Sequence, residues 1–546
     1  MKTKKLRIVF LVLMLTISKV SFAWNVLYSS TTSPGKGSSQ NICRNLSDTG
    51  SLTASVWIEN GASPLLSKIH LIEVDDRGDI IAQNTVKLTF PVVSMDVKRI
   101  EIHRLLINQD SNSYILFGTA HNPVSTFPST RSFLMKIDNS LNVVQVQFLD
   151  EYFDYYDFAI TPRSGQFVCV GTIGIFDRLK ATGRRAVITT LNSNFICQGI
   201  NLLPQSFPLA GNISRFDNIK VVKPYYDRLN NKEILFIAGH TTVDYISGLD
   251  TFYFPQLFSS KIEIGGTGNL THVWFSNVDT KIIGMPGLDE VTPCDLIYDE
   301  SRNQIAIINS NADKGTGGFL KAHLCLLEGT NGNPVAFYTY EGPSTVANKI
   351  SVHTVFGQTI QLKSSGKYCI NGWADNYIFN GPQYGKYNFY QVDFDPQTSI
   401  FDSMHLIVGR SSSYLSSQVK DFYGIFTDTG YNRGTGFDSL GPYYTAHSMV
   451  VYKDSDNIDQ EVVAWMSTGL NNNNHELRIW SSKFGHGDEG PVCLGSYLLV
   501  NSAYSPFNVI QKTIVWQFVP CIEFSPGFVN PSNNDFDMNV CNGTFD

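Results

Sequence analysis

Tyr155-Tyr-Asp-Phe-Ala-Ile-Thr-Pro-Arg-Ser-Gly-Gln-Phe-Val-Cys-Val-Gly171 reads as two β-strands and the turn that joins them. Aromatic and β-branched residues fill both runs, and Pro162 and Gly165 supply the fixed and the permissive φ that a tight turn needs. Beyond it, Arg185-Ala-Val-Ile-Thr-Thr-Leu191 is a third run, and a fourth follows the turn at residues 192–194. The same four-run pattern, strands A to D, recurs along the chain. Its second run ends at Gly61, Gly118, Gly171, Gly239, Asn309, Gly372 and Gly469, at separations of 57, 53, 68, 70, 63 and 97 residues.

A four-stranded unit repeated at this interval, with short hairpins, predicts an all-β protein built as a β-propeller. Seven copies predict seven four-stranded blades, with six or eight as the neighbouring counts. The 97-residue interval implies an insertion near residues 410–446, or an eighth degenerate blade containing residues 422–428. The first copy lacks a clear strand A. The apolar run Thr513-Ile-Val-Trp-Gln-Phe-Val519 is expected to pair with this N-terminal blade and close the ring. Strands A are expected at the central axis and strands D at the exposed rim.

Three stretches carry a resemblance: Phe133-Leu-Met-Lys-Ile-Asp138, Asp157-Phe-Ala-Ile-Thr-Pro-Arg-Ser-Gly-Gln166 and Phe167-Val-Cys-Val-Gly171, with related copies at residues 235–239 and 368–372. Across most of residues 51–500 the chain resembles the repeats, roughly sixty residues long, of secreted bacterial β-propellers. The resemblance implies the fold and assigns no activity.

Composition agrees. Phe (36), Tyr (25) and Gly (43) favour strands and turns over helices. With 48 acidic against 41 basic residues, the net charge of −7 argues against a basic nucleic-acid-binding protein, and 42% hydrophobic residues argue against a disordered one. Residues 1–23, with a basic start, a short apolar core and Ser21 and Ala23 before the cut, read as a secretory signal peptide. No later stretch approaches the roughly 20 apolar residues of a membrane helix. The product is expected in the periplasm, on the cell surface or outside the cell, with the propeller at residues 24–520 and a C-terminal tail at 521–546. Of the nine cysteines, Cys169 and Cys369 lie in apolar strand runs and read as buried thiols. At least one of Cys493, Cys521 and Cys541, in the irregular C-terminal region, is expected to form a disulfide.

Function is less legible. The A–B and C–D links are short, whereas the B–C loops at residues 121–130, 172–183, 240–256, 373–386 and 470–474 are long and raise aromatic and polar residues on one face. The ligand-binding candidates are His121, His240, Asp250, Tyr253, Trp373, Asp375, Tyr377 and Tyr384, with Tyr443 and Tyr444 from the insertion. No zinc-protease, nucleophile-elbow or nucleotide-binding motif is present, and Asp428-Thr-Gly430 lacks the second copy that an aspartic-protease pair requires. Asp454, Asp456 and Asp459 place carboxylates as calcium loops begin, but a solvated A–B turn is the favoured reading, and no other cofactor is expected. Asn45, Asn212, Asn269 and Asn542 begin glycosylation sequons. The favoured expectation is a non-enzymatic exported propeller that binds a surface glycan or envelope protein through its long-loop face. The alternative is a polysaccharide hydrolase or lyase with carboxylates at the channel mouth.

Overall fold

The computed structural model describes residues 24–30, 35–59, 67–89, 97, 99–122, 129–150, 153–173, 185–203, 218–247, 250–266, 268–279, 288–313, 320–341, 350–351, 355–378, 386–402, 404–407, 449–453, 457–468, 475–482 and, with short breaks, 495–540. Their strands form seven antiparallel sheets. Blade 1 begins at Gly35–Arg44, blade 2 at Arg99–Asn108, blade 3 at Phe153–Ile160, blade 4 at Asn218–Asp227, blade 5 at Leu288–Asp299, blade 6 at Ile350–Ser351 and Val355–Leu362, and blade 7 at Met449–Lys453. These first strands pack on one another in a closed circuit from blade 1 to blade 7 and back, so strands A line the axis of a propeller. Among the described residues the one helical turn is Gln109–Ser111.

The core lies between blades. Each apolar cluster joins the facing surfaces of neighbours, as where Phe117 of blade 2 stacks on Phe158 of blade 3 with ring centroids 5.8 Å apart. Full burial of such a ring contributes about 1.5–3 kcal/mol, so every blade depends on both neighbours.

The recurrent glycines among the described residues share a position; Gly61 and Gly469 lie outside the described residues. In blade 3 the register slips between Tyr155 and Asp157, and Gly171 is the Cα partner of Tyr155 at that bulge. Gly118 faces the bulge in blade 2, Gly239 in blade 4, Asn309 in blade 5 and Gly372 in blade 6. A Cβ at Gly171 would overlap the carbonyl oxygen of Asp154 and stand 2.7 Å from the Cα of Tyr155. Close backbone approach, not a positive φ, therefore selects glycine. The strands do not end there: Phe167–Ile173 and Lys232–Ser247 run on past their glycines.

The ring closes differently from expectation. Blade 7 takes Met449–Lys453, Asp459–Thr468 and His475–Ser482 from one end of the chain and Trp24–Ser30 from the other, with Trp24 opposite Ser481. The run at residues 513–519 does not reach the N-terminal blade, because Gln517–Val519 pairs with Cys197–Leu202 of blade 3. Blade 1 has its own strand A, Gly35–Arg44, whose Ser- and Gly-rich composition hides it.

The C-terminal segment instead runs around the rim and gives every blade a fifth strand. In order, Gly495–Leu498 adds to blade 6, Asn501–Ser505 to blade 5, Asn508–Gln511 to blade 4, Gln517–Val519 to blade 3, Ser525–Pro526 to blade 2, Phe528–Pro531 to blade 1 and Phe536–Val540 to blade 7. Each pairs antiparallel with the fourth strand, so the rim position expected of strands D belongs to this belt. Strands past residue 520 thus belong to the same sheets as the rest. Between its strands the belt inserts aromatic anchors into interblade clefts: Phe507 is 7% and Trp516 8% exposed, packed among residues of blades 4 and 5 and of blades 3 and 4. The arrangement covers seven unpaired edges that would otherwise template association.

A disulfide between Cys197 of blade 3 and Cys521 fixes the belt midway, as expected for one of the three C-terminal cysteines. Cys493 and Cys541 lie outside the described residues. Cys43, Cys169, Cys294, Cys325 and Cys369 are buried.

Candidate binding face

One face of the ring carries the A–B and C–D turns. They are short and internally bonded; Gly165 and Gly366 take φ of +61° and +80°, the left-handed conformation their turns require. Carboxylates of the following blade cap two of them. Glu233 accepts from the amides of Arg163 (2.9 Å) and Ser164 (2.8 Å), and Asp459 accepts from the amide (2.9 Å) and hydroxyl (2.8 Å) of Ser364. Asp459, one of the three calcium candidates, thus ties blade 7 to blade 6; Asp454 and Asp456 lie outside the described residues.

The opposite face carries the B–C connections, and here part of what reads as loop is paired strand. In blade 4 strand A first meets strand B at Asn218 and His240, yet strands B and C stay paired beyond that point, from Thr241 opposite Gln256 to Ser247 opposite Asp250. Seven further pairs at about 3.3 Å per residue make an arm roughly 20 Å long. Tyr245 is opposite Phe252 and Val243 opposite Phe254, which places positions 243, 245, 252 and 254 on one face of the ladder. The β-branched and aromatic residues of Thr-Thr-Val-Asp-Tyr-Ile and Thr-Phe-Tyr-Phe are strand formers, which explains the hairpin. In blade 6, Tyr368–Ile378 and Lys386–Asp395 extend likewise, and Ile350–Ser351 pairs with the end of the first.

The sequence candidates distribute over this framework. Asp250 and Tyr253 lie on the distal half of the blade 4 arm, opposite Ser247 and Asp244. Trp373, Asp375 and Tyr377 occupy alternate positions of the blade 6 strand and so share one face of it. His121 is in strand B of blade 2, opposite Thr130. His240 is in strand B of blade 4, where it is buried in the sheet. Tyr384, Tyr443 and Tyr444, the insertion at 410–446 and the Asp428-Thr-Gly430 stretch lie outside the described residues.

Two buried carboxylates of the inner strands are already engaged. Arg104 of blade 2 grips both oxygens of Asp157 in blade 3, at 2.9 and 3.0 Å, and Asp157 also accepts the amide of Val222 in blade 4 at 2.9 Å. Asp295 of blade 5 accepts the amide of Ile360 in blade 6 at 3.1 Å. Lys220 lies 3.6 Å above the ring of Tyr156. Asp157 and Asp295 are wholly buried, so they lock blades together and offer no open acid–base pair at the channel.

One further cluster had no sequence signal. Cys369, Asp393 and Glu461, all buried, bring three ligand-type atoms within 4.8 Å of one another between blades 6 and 7. Lys363 is ion-paired with Asp393 at 2.8 Å and with Glu461, so an ammonium supplies the positive charge there. Burial, and then the charge of Glu461, push the Cys369 thiol well above its ordinary range, which makes it a poor metal thiolate. These residues fit a closed ionic network better than a metal centre.

No family model matches the chain, and no curated protein matches it. Among solved structures, a glycosyl hydrolase from Bacteroides ovatus is similar at 12% identity and a TM-score of 0.26, covering 57% of this chain and 90% of that one. A mutant levansucrase from B. megaterium is similar at 11% identity and a TM-score of 0.30, covering 60% of this chain and 88% of that one. At these scores neither bears on what this chain binds. No helix among the described residues is long and apolar enough to cross a membrane.

Proposed function

We propose that this chain is an exported, non-enzymatic β-propeller that binds a surface glycan or an envelope protein through its B–C face. The observation that carries the reading is the blade 4 arm, Thr241 to Ser247 paired with Asp250 to Gln256, which extends strands B and C beyond strand A and carries aromatic positions 245, 252, 253 and 254 along it. Aromatic side chains on a fixed two-stranded arm give contact area at low entropic cost. The Trp373, Asp375 and Tyr377 edge of blade 6 belongs to the same face. The Cys197–Cys521 disulfide supports an oxidising compartment, in keeping with the signal peptide read at residues 1–23. Screening the purified protein on a glycan array and against envelope extracts, with residues 242–255 replaced by a two-residue turn in parallel, tests it: binding is expected for the intact chain and lost without the arm. Equal binding by both proteins would refute the assignment.

A further inference from the structure

The buried network between blades 6 and 7 holds two carboxylates and one ammonium. Lys363 follows directly on strand Val355–Leu362, and its Nζ donates to Asp393 Oδ2 at 2.8 Å; Asp393 lies in Lys386–Asp395 of the same sheet. The ammonium is also paired with Glu461 Oε1 in strand Asp459–Thr468 of blade 7, while the Gln391 amide donates to Glu461 Oε2. The Lys363 and Asp393 side chains are 7% and 2% exposed and that of Glu461 is 4%. Cys369 and Met449 lie beside the network, their sulfurs 3.6 Å apart, and Gln391 also reaches the Cys369 sulfur at 3.2 Å.

Such a site favours condensation over ionic pairing. In water, hydration of the ammonium and carboxylate opposes amide formation. Here the hydration is already lost, and a buried ion pair is stabilised only by its partner. An amide removes both charges of one pair and leaves a single carboxylate hydrogen-bonded to Gln391. The nucleophile and the carboxyl group are already in hydrogen-bond contact, and a second carboxylate is placed to carry protons.

We propose that Lys363 and Asp393 form an intramolecular isopeptide bond, with Glu461 as the proton carrier. The Lys363 ammonium gives one proton to Asp393 through their hydrogen bond, making a neutral amine and a carboxylic acid. Nζ attacks Cγ of Asp393; Glu461 takes a proton from the nitrogen and delivers it to the departing hydroxyl. The C–N bond forms, the C–O bond breaks, one water leaves, and Glu461 ends as the carboxylate it began as. No oxidant or other reactant enters. Burial alone would lower the Lys363 pKa, but Glu461, then Cys369 and Asp393, override it and hold the ammonium above its ordinary range. The free amine is therefore rare, and the bond forms slowly and once per molecule, after blades 6 and 7 have docked.

Tryptic mapping of the purified mature protein tests this. The expected product is peptide 350–367, uncleaved after Lys363, joined to peptide 387–410 and one water lighter than their sum. Asp393→Ala and Glu461→Gln should release both peptides at full mass. Asp393→Asn should restore the join, with ammonia lost in place of water, which separates chemistry from folding. Recovery of free peptides 350–363 and 387–410 from the wild-type protein overturns the proposal whatever the variants do. A join between Lys363 and Glu461 overturns the assignment of the roles.

Discussion

Cys521 is bonded to Cys197, 324 residues earlier in the chain, and this link pins the middle of the belt to the fourth strand of blade 3. On either side the belt holds each blade by two to five residues, so the crosslink is the strongest single attachment it has. Crosslinks closing long loops contribute about 2–5 kcal/mol. Replacing Cys521 by Ser should lower stability by an amount in that range and expose the belt to protease before the ring. Chemical denaturation with limited proteolysis checks both; unchanged stability and cleavage would show that the belt strands suffice alone.

Removal of the belt is the harsher test. A chain ending at residue 494 loses all seven rim strands together with Phe507 and Trp516, leaving the fourth strands as open edges. Such a protein should self-associate and lose cooperative unfolding, as read by light scattering and a thermal melt. A monomer melting like the parent would contradict the role given to the belt.

Gly171→Val addresses the bulge geometry. The new Cβ would overlap the Asp154 carbonyl, and no flexible side chain can move to relieve it, because the obstacle is backbone. A loss of about 3 kcal/mol or more is expected, larger than for most single substitutions. A melt close to that of the parent would show that the bulge at Tyr155 is misplaced.

Acid sensitivity should trace partly to His70. Its ring is buried and bonded to Thr85 at 2.8 Å; burial first, and the charge of Lys68 second, hold its pKa well below 6.5. The unfolded chain titrates near 6.5, so below that pH it takes up a proton that the fold refuses, and stability falls as pH drops. The slope from one such group is at most about 1.4 kcal/mol per pH unit. His70→Gln should flatten the stability profile between pH 6.5 and 5 relative to the parent (~1 proton of difference). Parallel profiles would show that His70 takes up its proton equally in both states.

The repeat was legible because it has a physical period: strands of Phe, Val and Ile interrupted by turns, and in several blades a glycine facing the A–B bulge where two backbones come close, as at Gly171 and Gly239. Blade 1's strand A was not legible because Gly35, Gly37 and Ser39 carry no apolar alternation. The belt escaped for a related reason. Segments as short as Ser525–Pro526 and Gln517–Val519 have no periodicity to register, and their pairing is dictated by edges that only the folded ring presents. Cys521 could be suspected of bonding from its position, but its partner, Cys197, sits in an ordinary strand. On the B–C face, composition singles out Tyr253 and Trp373 as candidates, whereas the extended pairing that makes an arm of residues 241–256 was read as loop. Lys363, Asp393 and Glu461 come from three separate stretches of two blades, and no local pattern announces them.

The central claim is that the B–C face, and the blade 4 arm in particular, binds the partner. Affinity for the ligand identified by screening should be compared between the parent, the protein with residues 242–255 replaced by a short turn, and Ser364→Ala on the opposite face. The account predicts at least a tenfold loss, about 1.4 kcal/mol, for the arm replacement alone, with Ser364→Ala binding like the parent and all three remaining folded. An arm replacement that keeps full affinity, or a loss that follows Ser364 instead, would contradict it.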